Sequence, residues 1–253
     1  MKLLRQTIRQ LIKESLFFDQ LKDLALAKVD YKAGITYILF KPELADIIIN
    51  HKMAYGRISK NEEKAILGVM HVENIYEWEE DQPCNGAMMV SYAAAEEGWG
   101  PTLYDTVMGD SSGGLIADRA RVSSAAYDVW DFYNYNRSDI EKKELDWNYD
   151  PWTSDNSDDC SWGSDADYFT MKEPWMDQED IANMDLEYSD WTDDPLNWSY
   201  NRGQVPFIDE MLQKYKEANQ KLLDSPGFGH IQWYGDSSWG ALGYEYFKRR
   251  LHR

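Results

Sequence analysis

The chain has 253 residues, 43% of them hydrophobic, and a formal net charge of -19 at neutral pH. This length can bury a core without covalent staples, and Cys84 and Cys160 form neither a CxxC motif nor a Cys/His cluster at zinc spacing. The acidity excludes broad contact with nucleic-acid phosphates, which requires Lys and Arg. No apolar run of about eighteen residues occurs, and Met1 opens no secretory apolar core. The expectation is an unexported, cytoplasmic protein with reduced thiols and no membrane span.

The leader, 1–20, places Leu4, Ile8, Leu11 and Ile12 on one helical face and Lys2, Arg5, Arg9 and Lys13 on another, predicting a basic amphipathic helix. It packs on its own domain or docks on a partner; a membrane anchor would need a second signal. Gly34 to Phe40 is β-branched and aromatic and predicts a buried strand ended by Lys41-Pro42. Glu43 to Asn50 follows as a helix. Ala65 to Val72 and Ala87 to Ala93 predict two further strands, separated by an acidic loop around Glu77 to Asn85. Thr102 to Met108 turns helical, Leu115 to Ala117 is a short strand, and Ser123 to Tyr133 has helical spacing with Ser123 or Ser124 as N-cap. Strand, glycine turn, helix, strand, helix predicts a layered α/β core over 21–145.

Beyond Leu145 the periodicity fails. Asp146 to Tyr200 holds sixteen acidic residues against one basic residue, Lys172, so most of the net charge sits there. The same stretch holds six of the eleven Trp, at 147, 152, 162, 175, 191 and 198. A disordered acidic tail is poor in aromatics, so 146–204 is expected to be a long ordered excursion pinned by its indoles. It reads as a solvated cover, as a cation-attracting wall for a basic amine or Lys-rich substrate, or as a nucleic-acid mimic. No calcium loop with a distal Glu stands around Asp155 to Asp159. In the closing segment, 205–253, Pro206 to Leu223 predicts a helix ended by Ser225-Pro226-Gly227, and the stretch from Ile231 predicts one or two strands and a basic terminus.

Chemistry concentrates between Val90 and Tyr104 (VSYAAAEEGWGPTLY). A strand entering a Gly-x-Gly turn at a helix start leaves backbone N–H groups unpaired and aimed outward, where the helix dipole adds positive potential. Such a turn cradles a pyrophosphate, and glycine keeps side chains out of the approach. A purely structural turn is the competing reading of Gly98-Trp99-Gly100. For acyl transfer to an amine, Glu73 or Glu77 is a candidate base, with His71 acting through water as a third. Ser/His/Asp hydrolase and P-loop patterns have no matching motif.

Val90, Gly98 and Gly100 resemble the V-x-x-x-x-R/Q-x-x-G-x-G/A motif of the GNAT N-acyltransferase superfamily. The resemblance implies a GNAT-like fold, with a central mixed sheet flanked by helices, and acetyl-CoA or another acyl-CoA as cofactor. It also implies cofactor contacts from Met89, Val90, Tyr92, Gly98, Trp99, Gly100, Pro101 and Thr102. SSAAYDVWDFY resembles the N-x-x-A-x-x-x-Y helix of that family. Two residues depart: Ala95 stands where Arg or Gln is usual, and Trp130 stands at the tyrosine that protonates the thiolate, leaving Tyr127 or Tyr133 to substitute. A GNAT-like group of phages and related bacteria is similar at Gly98 to Asp105, Gly113 to Arg119, Ser123 to Tyr133, Asn136 to Asp139 and Asp194 to Tyr200. The leader resembles those of many phage proteins.

The implied function is acyl transfer, acetyl by default, to a cationic amine or basic protein. The alternative is a non-catalytic GNAT-like protein: virion-associated, with the leader docked on phage structural proteins, or an acidic interaction partner.

Overall fold

The computed structural model describes residues 21–31, 34–51, 58–74, 84–118, 122–145, 158, 160, 194–224 and 235–251. The leader helix, Glu77, Arg119 and most of the acidic excursion lie outside the described residues. Among those described, the architecture is mixed α/β. The strands are β1 (Ala25–Tyr31), β2 (Gly34–Phe40), β3 (Ile66–Glu73), β4 (Met88–Ala95), β5 (Leu115–Ala117), β6 (Glu141–Glu144) and β7 (Trp198–Asn201). The helices are α1 (Glu43–His51), α2 (Lys60–Ala65), α3 (Gly100–Asp110), α4 (Ser124–Asn136), α5 (Ile208–Leu223) and α6 (Gly235–Leu251). Hydrogen bonding orders the strands β1-β2-β3-β4-β5-β7-β6 in one seven-stranded mixed sheet.

The chain divides into two compact units. The first takes 1–72, 92–106 and 205–253, and the second takes 73–91 and 107–204. In the first unit, β1 and β2 form an antiparallel hairpin in register from Ala25↔Phe40 to Tyr31↔Gly34. Ser59 opens α2 with a capping box: its hydroxyl accepts from the Glu62 amide at 3.2 Å while the Glu62 carboxylate accepts from the Ser59 amide. On α5 the buried stripe Met211, Tyr215, Ala218 and Leu222 repeats at helical spacing. Tyr215 and Leu222 join Ala27, Val29, Ile38, Phe40 and Trp239 in one apolar core. Trp239 packs on Phe40 and Tyr215 at centroid distances of 4.8 and 5.6 Å. Truncating so large a buried ring typically costs about 3–5 kcal/mol.

The closing segment corrects the sequence reading. The one or two strands expected near the C-terminus are absent from the described residues there, and Gly235–Leu251 is a helix. Its aromatics and glycines favour strands and turns in isolation, but Trp239, Leu242 and Tyr246 recur at helical spacing and are all buried. Tertiary burial overrides local propensity. Gly243 lets the helix approach closely, since a Cβ there would lie 2.9 Å from Val69 and 3.1 Å from Ile38.

In the second unit, the first residues of β4 run parallel to β5 with Met88↔Leu115, Met89↔Ile116 and Val90↔Ala117 in register. Strand β7 pairs antiparallel with β5 at Leu115↔Tyr200 and with β6 from Glu141↔Asn201 to Glu144↔Trp198. The Gly113-Gly114 pair is sterically required. A Cβ at Gly113 would stand 2.0 Å from the Gly86 carbonyl oxygen, and one at Gly114, where φ is +84°, would stand 2.2 Å from that of Tyr200. Ser123 caps α4 by accepting from the Ala126 amide at 3.2 Å, as its position before the periodic run predicts.

Cys84 and Cys160 correct a second expectation. They are joined in a disulfide with Cα atoms 4.6 Å apart, buried with Ala87, Met89, Ile116 and Leu145. The bond spans 76 positions of sequence and so ties the acidic stretch to the turn before β4. Close packing, rather than motif spacing, brings the two sulfurs together.

Two outcomes follow for the second unit. Reduction, or Cys84→Ser, is expected to lower stability by about 2–4 kcal/mol, read as a lower urea midpoint with than without dithiothreitol. A two-pronged hydrogen bond from Arg137 to Asp139, at 2.8 and 2.7 Å, holds the Asp139 carboxyl below its ordinary range, with Arg202 at 3.4 Å assisting. A depressed carboxyl stabilises above its unfolded pKa and loses that contribution as pH falls through the lowered folded value. Asp139→Asn is therefore expected to be less stable than the parent at pH 7, with the difference shrinking below about pH 4.

Candidate functional site

The candidate cradle lies within the first unit, where β4 ends and α3 begins. Strand β4 leaves its neighbour at Glu96, whose amide donates to the Leu67 carbonyl at 2.8 Å. A turn follows, closed by the Trp99 amide on the Glu96 carbonyl at 2.9 Å, and Leu103 makes the first helical bond, to Trp99, at 3.0 Å. Between these bonds the amides of Gly98 and Gly100 make no hydrogen bond among the described residues. Gly98 takes φ +85°, which disfavours a side chain, and a Cβ at either glycine would meet nothing within 4 Å. Pro101 has no N–H and suits the first helical turn. No acidic residue occupies that turn, so no carboxylate of α3 itself offsets the positive end of its dipole. Thr102 is buried, and its carbonyl accepts from the Thr106 hydroxyl at 2.7 Å.

The sequence places two carboxylates beside this turn, and the fold diverts one of them. Glu96 forms an ion pair with Arg250 of α6 and accepts from the Tyr246 hydroxyl at 3.3 Å. Burial pushes the Tyr246 hydroxyl up to about 12, so it remains a donor across the neutral range. Glu97 is exposed. Arg250 and Tyr246 are the partners that sequence reasoning missed; the only trace was the basic terminus.

The other expected residues are placed as follows. Met89 and Val90 are buried in the part of β4 already in register with β5, so the stretch beyond that pairing begins at Ser91. The Tyr92 ring stacks on His71 at 5.2 Å and on Phe247 at 4.5 Å. Trp99 is half-buried at the turn. Glu73 ends β3 and is half-exposed. His71 shares a hydrogen bond with Thr36, Nδ1 to Oγ1 at 2.8 Å.

In the second unit Tyr127 is half-buried, and burial together with Asp194 and Asp131 pushes its hydroxyl up to about 12. Tyr133 is fully buried beside Tyr200 and under the Arg137 guanidinium. Trp130 is buried and stacks on Tyr200 at 5.3 Å. Of the two tyrosines named as proton donors, Tyr127 is the one that reaches solvent. Asp194 caps the turn Pro195–Asn197 by accepting from the Leu196 amide at 3.0 Å, and Tyr200 donates to the Pro195 carbonyl at 2.6 Å. The DPLNWSY stretch thus carries structural bonds.

Among the described residues no group of three His, Cys, Asp or Glu is arranged to hold a metal, and no helix is long and apolar enough to cross a membrane. Compared with protein-family models, with curated proteins and with solved structures, the chain matches none.

Proposed function

We propose that the chain is a GNAT-like acyl-CoA-dependent N-acyltransferase, transferring acetyl by default to a cationic amine or basic protein substrate in the cytoplasm. The observation that carries this reading is the open pair of amides at Gly98 and Gly100, at the head of a helix whose neighbouring Glu96 is paired with Arg250. Backbone donors at a helix N-terminus favour phosphate, and a CoA pyrophosphate is the anion that a strand-to-helix glycine turn of this kind accepts. The parallel β4–β5 pairing that stops at Val90 is a second support, since it leaves the rest of β4 outside that ladder. In this reading the open amides of Gly98 and Gly100 hold the pyrophosphate; Trp99, whose amide is already bonded to Glu96, and Pro101, which has no N–H, shape the turn with Thr102, and Tyr92 lies along the arm. Bound acyl-CoA supplies an activated acyl thioester. The resemblance gives the base role to Glu73 or Glu77 and the proton-donor role to Tyr127 or Tyr133; the exposure of Tyr127 favours it over Tyr133.

The rival reading is a non-catalytic GNAT-like protein, virion-associated or acting through its acidic surface. The disulfide favours it, because such bonds persist in oxidising settings such as virion surfaces.

Thermal unfolding with acetyl-CoA separates the two. At about 100 times its dissociation constant a ligand of the folded state adds about 2.7 kcal/mol, so acyl-CoA binding raises Tm by several degrees. Gly100→Asp puts a carboxylate in the cradle without steric conflict, and a carboxylate stabilises a helix N-terminus. The variant is expected to match or exceed the parent's Tm while losing the acetyl-CoA shift. An unchanged Tm of the parent with acetyl-CoA would support the rival.

A further inference from the structure

Within the first unit lies a pocket of about 490 Å³, which shares Tyr92 and His71 with the acyl-transfer reading but takes no part of the Gly98–Gly100 cradle. Strands supply Tyr31, Thr36, His71 and Tyr92, and α6 supplies Gly240, Ala241 and Tyr244. Its size is within the range of small-molecule sites. Four rings make most of the wall, and they brace one another: Tyr31 meets His71 edge-on at 6.0 Å, His71 stacks on Tyr92, and Tyr92 lies 6.0 Å from Tyr244. Phe247, outside the lining, stacks on Tyr92 at 4.5 Å. The rings are therefore preorganised, which lowers the ordering cost of binding.

The lining contains no Asp, Glu, Lys or Arg. We propose that this pocket is an aromatic cage for a methylated ammonium group. Tyrosine faces attract cations through the ring quadrupole, and one of them already does so: Lys248 Nζ stands 4.3 Å from the centroid of Tyr244. A primary ammonium is strongly hydrated and brings three donors that need acceptors. The lining lacks a carboxylate, the buried Thr36 hydroxyl is engaged with His71, and the Tyr31 and Tyr244 hydroxyls offer only neutral acceptors. A quaternary head has no N–H to satisfy and sheds water more readily, so the chemistry of the wall selects it.

Gly240 sets the position of one ring. A Cβ there would lie 1.2 Å from the Tyr31 hydroxyl oxygen, the far end of a side chain that is 43% exposed. Gly240→Ala thus displaces Tyr31 at little cost to the fold.

Titration calorimetry on the full chain, without CoA, compares choline with its neutral carbon isostere 3,3-dimethylbutan-1-ol. Choline is expected to bind at least about tenfold more tightly than the isostere. Tyr244→Leu keeps apolar area at a position that is 46% exposed, and both it and Gly240→Ala are expected to weaken choline severalfold with Tm unchanged. Equal binding of the isostere, absence of choline binding at about 10 mM, or unaltered choline affinity in Tyr244→Leu would each overturn the proposal. Because no acyl-CoA enters the cell, failure here leaves the acyl-transfer reading standing, and the converse also holds.

Discussion

The ion pair between Glu96 and Arg250 is the interaction on which the functional reading depends. Without it, two adjacent carboxylates would stand beside the amides of Gly98 and Gly100 and repel any anion approaching the head of α3. With it, one carboxylate is neutralised by a residue from the end of the chain, and Tyr246 donates to the same group. The cost is the desolvation of two partly buried charges, which such pairs recover only through good geometry and added hydrogen bonds. What the pair contributes is local electrostatics: the dipole of α3 faces solvent without an adjacent unpaired Glu96.

Each compact unit is organised by a different device. In the first, helices α5 and α6 bury aromatic and aliphatic side chains on the β1–β2 hairpin, and Gly243 sets how closely α6 can approach. In the second, strands of three and four residues have little side-chain area to bury. Cohesion comes there from backbone-to-backbone approach at Gly113 and Gly114, from the stack of Trp130 on Tyr200, and from the Cys84–Cys160 bond. Small cores commonly rely on staples of this kind.

Local chemistry was legible in the sequence, and long-range pairing was not. Ser123 as a cap, the strand at Leu115–Ala117 and the turn at Gly98 follow rules that act over a few residues, and the structure places each where those rules put it. Strand β6 reads EKKE, is exposed throughout and has no apolar alternation to betray it. Strand β7 lies inside an acidic, Trp-rich stretch, and its identity as a strand rests on partners at Leu115 and Lys142 far away in sequence. The disulfide and the Arg250–Glu96 pair are likewise juxtapositions of distant segments, which composition and spacing do not encode. The aromatic pocket escaped for the same reason, since its rings come from three strands and a helix that local propensity misreads.

The cradle itself is tested most directly by amide NMR of the full chain titrated with CoA. The account predicts that the largest chemical-shift changes fall on the backbone N–H groups of Gly98 and Gly100, with those of α5 unmoved. Perturbations absent from both glycines while CoA binds elsewhere, or no perturbation at all, would contradict it.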